Sequence, residues 1–243
     1  MEIDSNTIAD VYGATRQKRR SRHSVEERLT PSRMQYDYLI LDALQKSVRQ
    51  LIDRCPPGCG RASALDLGAS NSPYKSLLEN RGYKVRTLDM DPSSEADFSG
   101  TIEATGLPSE SFDLVLCTQV LEHCLNPWQG IQEIARILKP GGRVIASAPH
   151  VWFYHPHPSD NWRFTQEGIV RLCAIGGLET ECLLSQGGSF LAITQIANFL
   201  VYGLLGRLGL PVYLLANCAA GPLDQRLANS TFCLNFACLS VKR

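Results

Sequence analysis

Strand-like and helix-like segments alternate from Ala62 to the C-terminus, which predicts an α/β domain built on a mostly parallel sheet with right-handed crossovers. Three observations carry this expectation. Short apolar runs ("ALDL", "KVRTLDMD", "FDLVLCT", "RVIASAP") are separated by stretches whose apolar residues recur three or four positions apart. Gly, or Pro-Gly-Gly, punctuates the change from one kind of segment to the other. A chain of 243 residues with 44% hydrophobic content is also long enough for one large domain with a buried central sheet.

Taken in order, residues 1–31 are polar and aperiodic, with a basic run "RQKRRSRHS", and are expected to form a mobile arm. Residues 32–243 are expected to form a single domain. Met34, Tyr38, Leu41, Leu44, Val48 and Leu51 make one apolar helical face, ended by "RCPPGCG". "ASALDLGAS" reads as a buried strand entering a glycine turn, followed by a helix with Ser72 as N-cap and Pro73 at its first position. "GYKVRTLDMD", "SFDLVLCT" and "GGRVIASAP" supply further strands. Between the last two, Asn126 caps and Pro127 begins a helix with Trp128, Ile131, Ala135 and Leu138 on its buried stripe, stopped at Pro140-Gly141-Gly142. Thr165 caps the next helix, Gly176-Gly177 stops it, and strands around "LETECLLS" and "FCLNFACLSV" close the chain.

Between those two strands, residues 186–223 form an apolar insert in which Arg207 is the only charge between Cys182 and Leu223. Interruptions at Gln195, Asn198, Gly203, Gly206 and Pro211 argue against a membrane span, which would also separate the closing strand from its sheet. Helical pieces apolar on nearly every side are instead expected to be covered: as a lid on a substrate pocket, in a homodimer, or in peripheral contact with a membrane.

Twenty-four basic residues balance twenty-four acidic ones, so no global field favours nucleic acid, and no nucleic-acid partner is expected. Nine cysteines, an odd number scattered through strand and helix cores, suit reduced thiols and a cytoplasmic location. The lone "CPPGC" pair reads as a turn rather than a zinc site.

Ligands of an open parallel sheet bind outside the carboxyl ends of its strands. Asp66 and Gly68 stand after the first strand, and Asp89 stands 21 residues beyond Gly68, where an acid accepts hydrogen bonds from ribose hydroxyls. A nucleoside-type cofactor fits both. "ALDLGAS", "VRTLDMDPS", "LPSESFDLVLCTQVLEH" and "EIARILKPGGRVIAS", in this order and spacing, resemble the class I S-adenosylmethionine-dependent methyltransferases over about Ala62 to Ala148. The resemblance implies a Rossmann-like, doubly wound, seven-stranded and mostly parallel sheet with an antiparallel last strand, the apolar insert lying before that strand. It implies S-adenosyl-L-methionine as cofactor, with Asp66, Gly68, Ala69 and Ser70 along its methionine portion and Asp89 and Met90 at ribose and adenine. It further implies Glu103 near the adenine amine, and Gln119 and Val120 beside the methyl group. The family's turn commonly reads D-x-G-x-G-x-G, whereas this chain has Ser70 and Ser72 at the second and third glycines. That departure keeps open a second reading, a methyltransferase-fold protein that binds a cofactor or partner without turnover.

The stretch "PHVWFYHPHPSDNWRFT" follows the fifth strand and resembles a branch of the family associated with polysaccharide and glycolipid gene sets. It implies a small-molecule, sugar or lipid-linked glycan acceptor, methylated at a hydroxyl. His155 or His157 would then serve as general base, oriented by Asp160, with Trp152, Tyr154 and Trp162 walling the pocket and Arg163 paired with an anion or with Asp160. The alternative is a rigid lid of packed aromatics. His155, His157 and Asp160 are also ligand types, but methyl transfer needs no metal, so none is expected. His123 is expected either to fix its loop or to take part in catalysis.

Overall fold

The strands are β1 (Ser63–Leu67), β2 (Lys84–Asp89), β3 (Phe98–Ser99), β4 (Phe112–Thr118), β5 (Leu138–Pro149), β6 (Leu178–Gln186) and β7 (Asn235–Lys242). They hydrogen-bond into one sheet in the order β3-β2-β1-β4-β5-β7-β6. The first five are parallel, and β7 inserts antiparallel to both β5 and β6. These elements come from a computed structural model that describes residues 23–156, 158–227 and 229–243.

Side chains alternate across each strand, so the sheet feeds two cores. Leu65, Leu67, Val115, Cys117, Val144 and Ala146 meet Ile131, Ile134, Ile137, Ile169 and Leu172 from α4 (Pro127–Ile137) and α5 (Gln166–Ile175). Ala64, Leu114, Leu116 and Ile145 face Leu44, Val48 and Leu51 of α2 (Tyr38–Arg54) and Leu78 of α3 (Lys75–Asn80). Each such fully buried aliphatic side chain contributes roughly 1.5–3 kcal/mol relative to exposure.

Local signals placed several helix ends. Asn126 Oδ1 accepts from Gln129 N at 3.1 Å with Pro127 at the first position, and Thr165 Oγ1 accepts from Gly168 N at 3.0 Å. Other expectations need correction. Ser72 is not an N-cap: its φ of +46° is incompatible with the extended backbone a cap needs, and α3 begins three residues later at Lys75. Trp128 is not on the buried stripe of α4; it is exposed and meets Trp162 edge-to-face at 5.1 Å. Leu138 does not continue α4 but opens β5, and the register shift between Phe112 and Leu114 absorbs the Pro140-Gly141-Gly142 turn inside that strand.

Within the stretch expected to be a mobile arm, residues 25–29 form α1 (Val25–Leu29), opened by a reciprocal capping box of Ser24 and Glu27. His23 Nε2 lies 2.8 Å from Asp37 Oδ2, and Asn71 Nδ2 donates to His23 O at 2.8 Å, tying the segment down beside the first glycine turn. Residues 1–22 of the arm lie outside the described residues. The apolar insert takes the form of a hairpin, α6 (Ser189–Leu205), a 3-10 turn at Gly206–Gly209, and α7 (Leu210–Leu227). Its helices begin three residues after Gln186, which ends β6, and run four residues past 223.

Candidate active site

The crevice at the carboxyl ends of β1, β2 and β4 is built from backbone in an unusual conformation. Gly68 (φ +71°), Ser70 (φ +51°), Ser72 (φ +46°) and Gln119 (φ +56°) all occupy the left-handed region, which costs an L-residue about 1–2 kcal/mol. The chain therefore keeps a glycine-type turn while carrying serine at two of its positions. Gly68 N and Ala69 N both donate to Leu88 O, at 2.8 and 3.1 Å, so the turn is stapled to β2. A Cβ on Gly68 would lie 2.4 Å from Val120 Cγ2, so only glycine lets the turn and the β4 loop approach this closely.

Two carboxylates organise the turn. Asp89, at the end of β2, accepts from Ser70 N at 2.6 Å and from Asp91 N at 2.8 Å. Asp66 is buried and accepts from Ser72 Oγ at 2.6 Å. Burial pushes the Asp66 carboxyl up to about 7, against the pull of Ser72. Met90 beside Asp89 is exposed to the crevice edge. Gln119 Nε2 donates to Ser147 Oγ at 3.2 Å, locking the ends of β4 and β5 together. Glu103 Oε1 accepts from Leu125 N at 3.0 Å and so clasps the loop between β4 and α4.

The loop after β5 is pinned across the end of β4. Asn161 N donates to Glu122 O at 2.8 Å, Trp162 Nε1 to Cys124 O at 2.8 Å, and Ser159 Oγ to His123 O at 2.6 Å. Its centre is Asp160, whose carboxylate receives His155 N at 2.9 Å, has His155 Nδ1 at 3.1 Å, and holds Arg163 through both terminal guanidinium nitrogens. Burial would raise the Asp160 carboxyl, but the Arg163 bonds and the His155 amide outweigh it and leave it below its usual value. Arg163 also donates to Phe153 O at 3.0 Å, which makes it an internal strut rather than a free anion site. Trp152, Tyr154, Asp160, Asn161, Trp162 and Arg163 line a cleft of about 340 Å³. The His155 ring is outside that lining and packs on His123 at 5.2 Å. His157 lies outside the described residues.

His123 shares its Nδ1 with the Ser159 carbonyl, a loop-fixing contact, and burial holds its pKa below the usual value. Beside it, Glu122 is 1% exposed with Oε2 unpartnered, and burial pushes its carboxyl up to about 8. One ligand atom from each of Glu122, His123 and His155 falls within a 4.8 Å cluster, a different set from the His155, His157 and Asp160 group considered on sequence.

Residues 65–146 match a family model described as "Methyltransferase domain". Over those residues the chain carries a methyltransferase domain of the class I S-adenosylmethionine-dependent kind. A biotin biosynthesis bifunctional protein of Cellvibrio japonicus (strain Ueda107) is 31% identical over 116 residues, covering 43% of this chain and 23% of that protein. A thiol S-methyltransferase of Homo sapiens is 30% identical over 116 residues, covering 47% of this chain and 42% of that protein. The chain thus spans less than half the length of these curated relatives. A solved structure, the Burkholderia thailandensis 1,6-didemethyltoxoflavin-N1-methyltransferase with bound 1,6-didemethyltoxoflavin and S-adenosylhomocysteine, superposes with a TM-score of 0.53. It covers 85% of this chain and 79% of that one at 13% identity, a likeness of fold.

The donor set of this methyltransferase domain fits S-adenosyl-L-methionine. A buried carboxylate with a raised pKa, Asp66, has no cation among its hydrogen-bond partners in the described residues and suits a cationic group. Arg28, close enough to lower the Asp66 pKa, buries an Nε with no partner among the described residues and suits the carboxylate of an amino-acid tail. Arg28 was hidden in the sequence because it lies in the segment read as an arm. The signal that could have found it is the Ser24-Val25-Glu26-Glu27 capping box, which marks a helix start.

Proposed function

We propose that this chain is an active methyltransferase that uses S-adenosyl-L-methionine to methylate a hydroxyl on a small-molecule, sugar or lipid-linked glycan acceptor. When bound, the cofactor supplies an activated sulfonium methyl group. Asp66 and Arg28 are the residues for its zwitterionic tail, Gly68, Ala69 and Ser70 for close backbone approach, and Asp89 with Met90 for ribose and adenine. Gln119 and Val120 stand between that site and the acceptor side. Glu103 contributes indirectly, by holding the Leu125 backbone.

The observation that carries the hydroxyl reading is the His155–Asp160–Arg163 array on the loop after β5, beside an aromatic cleft. Holding donor and acceptor aligned and dry supplies up to roughly 7–11 kcal/mol of the barrier reduction, and Trp152, Tyr154 and Trp162 exclude water there. A hydroxyl acceptor must also lose its proton. His155 takes it at Nε2, with Nδ1 hydrogen-bonded to the Phe153 carbonyl at 3.0 Å and lying 3.1 Å from the Asp160 carboxylate. No step in this scheme calls for a metal.

Calorimetric titration with S-adenosyl-L-methionine tests the first half; no measurable binding overturns the enzyme reading in favour of a partner-binding role. For the second half, His155→Ala lowers kcat by about 10²–10⁴ while cofactor affinity is retained, and Asp160→Asn shifts the acidic limb of the pH–rate profile. Undiminished turnover in both His155→Ala and His157→Ala removes the general base and leaves a steric lid.

A further inference from the structure

We propose that the α6–α7 hairpin is a membrane-docking element whose tip seats in the headgroup–acyl boundary of an anionic phospholipid bilayer. The hairpin is built inside out. The residues it buries are Gln195, Asn198, Asn217 and Asp224 beside Ala192, Tyr213 and Ala220. Asn198 Nδ2 donates to Asn217 Oδ1 at 2.8 Å, Gln195 Nε2 to Tyr36 O at 2.9 Å, and Asp224 accepts from Gly188 N and Leu191 N at 2.8 and 2.9 Å. What it presents outward is Ile193, Leu200, Leu204 (84% exposed), Leu208 (85%), Val212 and Leu215 (72%). A helix in water puts its apolar stripe against the protein and its polar face outward. The reversal implies that this hairpin's surroundings are apolar.

Lipid fits those surroundings better than a second copy of the chain. Tyr202, Gly203, Leu204 and Leu205 are consecutive and all exposed, and at 100° per residue they face every direction around the helix axis. A flat partner covers one such face, whereas lipid surrounds the tip. From Cys182 to Leu223 there is no carboxylate, and the one charge, Arg207, sits in the turn at the tip. A second exposed cation, Arg33, lies beside α7 with Nη1 3.9 Å from Cys218 Sγ. Both match the phosphates of an anionic surface. From Leu200 to Leu205 the helix rises about 8 Å at ~1.5 Å per residue, within the roughly 5–10 Å to which interfacial helices are buried.

Among the described residues, one helical stretch, 189–227, is long and apolar enough to cross a membrane by length and composition. Topology makes it a hairpin that enters and returns on one side instead. Gln186, which ends β6, is paired with Asn235, which begins β7, so both ends of the insert are anchored at the same edge of one sheet.

Flotation of the full chain with vesicles of 70% phosphatidylcholine and 30% phosphatidylglycerol tests this without any activity measurement. The wild type floats, and the Leu204→Glu/Leu208→Glu variant falls at least tenfold in the vesicle-bound fraction while its circular dichroism and S-adenosyl-L-methionine titration are unchanged. Arg207→Gln weakens flotation on these vesicles and has no effect on vesicles of phosphatidylcholine alone. A wild type that stays with the dense fraction overturns the proposal. So does a wild type that is a stable dimer in sedimentation, is made monomeric by the double variant, and does not float. If the double variant misfolds, Leu204→Ser/Leu208→Ser is the substitute, and flotation equal to wild type in a folded variant overturns the proposal as well.

Discussion

Replacing Ser70 with glycine and replacing Ser72 with glycine have opposite consequences for stability, although the two serines sit two residues apart in the same turn. Both are left-handed, at φ +51° and +46°. Glycine removes a conformational cost of about 1–2 kcal/mol at either position and gives back about 0.5–1 kcal/mol in backbone entropy. Ser70 uses its backbone amide toward Asp89, which glycine keeps, and no described partner engages its hydroxyl. Ser70→Gly is therefore more stable by about 0.5–1 kcal/mol, a rise in Tm of about 1–4 °C for a domain of this size. Ser72 donates its hydroxyl to the buried Asp66 carboxylate at 2.6 Å. Losing a bond to a charged group costs about 1.5–3 kcal/mol, so at pH 8 Ser72→Gly falls by about 1–2 kcal/mol, or about 2–8 °C in Tm. Thermal unfolding of both variants without cofactor measures this. Shifts of the same sign, or a Ser70→Gly less stable than wild type, would refute the account of the turn.

Three further outcomes follow from the site. Gly68→Ala introduces a Cβ 2.4 Å from Val120 Cγ2 at φ +71°, so it weakens S-adenosyl-L-methionine binding at least tenfold by calorimetry, and adding Val120→Ala recovers part of the loss. Glu122 and Asp66 keep their protons in the folded state up to about pH 8 and 7, whereas the unfolded chain releases them near 4.5 and 3.8. Their contribution is full at low pH and is lost as pH rises through those windows, at up to about 1.4 kcal/mol per pH unit for each group; Glu122→Gln flattens that decline in urea titrations between pH 5 and 9, and an unchanged slope contradicts the assignment. Exhaustive chelation leaves methyl transfer undiminished, and a loss restored by a divalent cation would make the Glu122, His123 and His155 cluster a metal centre.

Much of the fold was legible because its signals are local. A capping side chain acts three residues from the group it bonds, and strand alternation is read over five to seven residues, so Asn126, Thr165 and the strands near β1, β4 and β5 could be placed from sequence. Ser72 misled for a physical reason: serine before proline is the usual cap pattern, but here its hydroxyl is committed to Asp66 and its backbone to the turn. Trp128 misled because an aromatic at the right helical spacing can equally pack on a loop, and its partner Trp162 is 34 residues away. The polar seam of the hairpin depends on Asn198 meeting Asn217 and on Asn217 and Gln195 meeting the backbone of residues 33–36, so in sequence those amides read as interruptions of an apolar run. The chemistry of the crevice was suggested by motif; Asp160 was expected beside His155 or His157 and was one of two partners offered for Arg163, and only the folded loop shows it meeting His155 and Arg163 at once.

Phe199 gives the hairpin a second consequence. Its ring stacks on Phe153 at 4.5 Å and meets Trp152 at 5.9 Å, so a side chain from the insert forms the backing of the loop that walls the cleft. Insert and cleft are one packed body. A deletion that trims residues 189–227 to a short β6–β7 connection would leave the sheet paired yet take away the support behind Trp152 and Phe153. The wall of the cleft and the apolar appendage are mechanically coupled through the Phe199 ring.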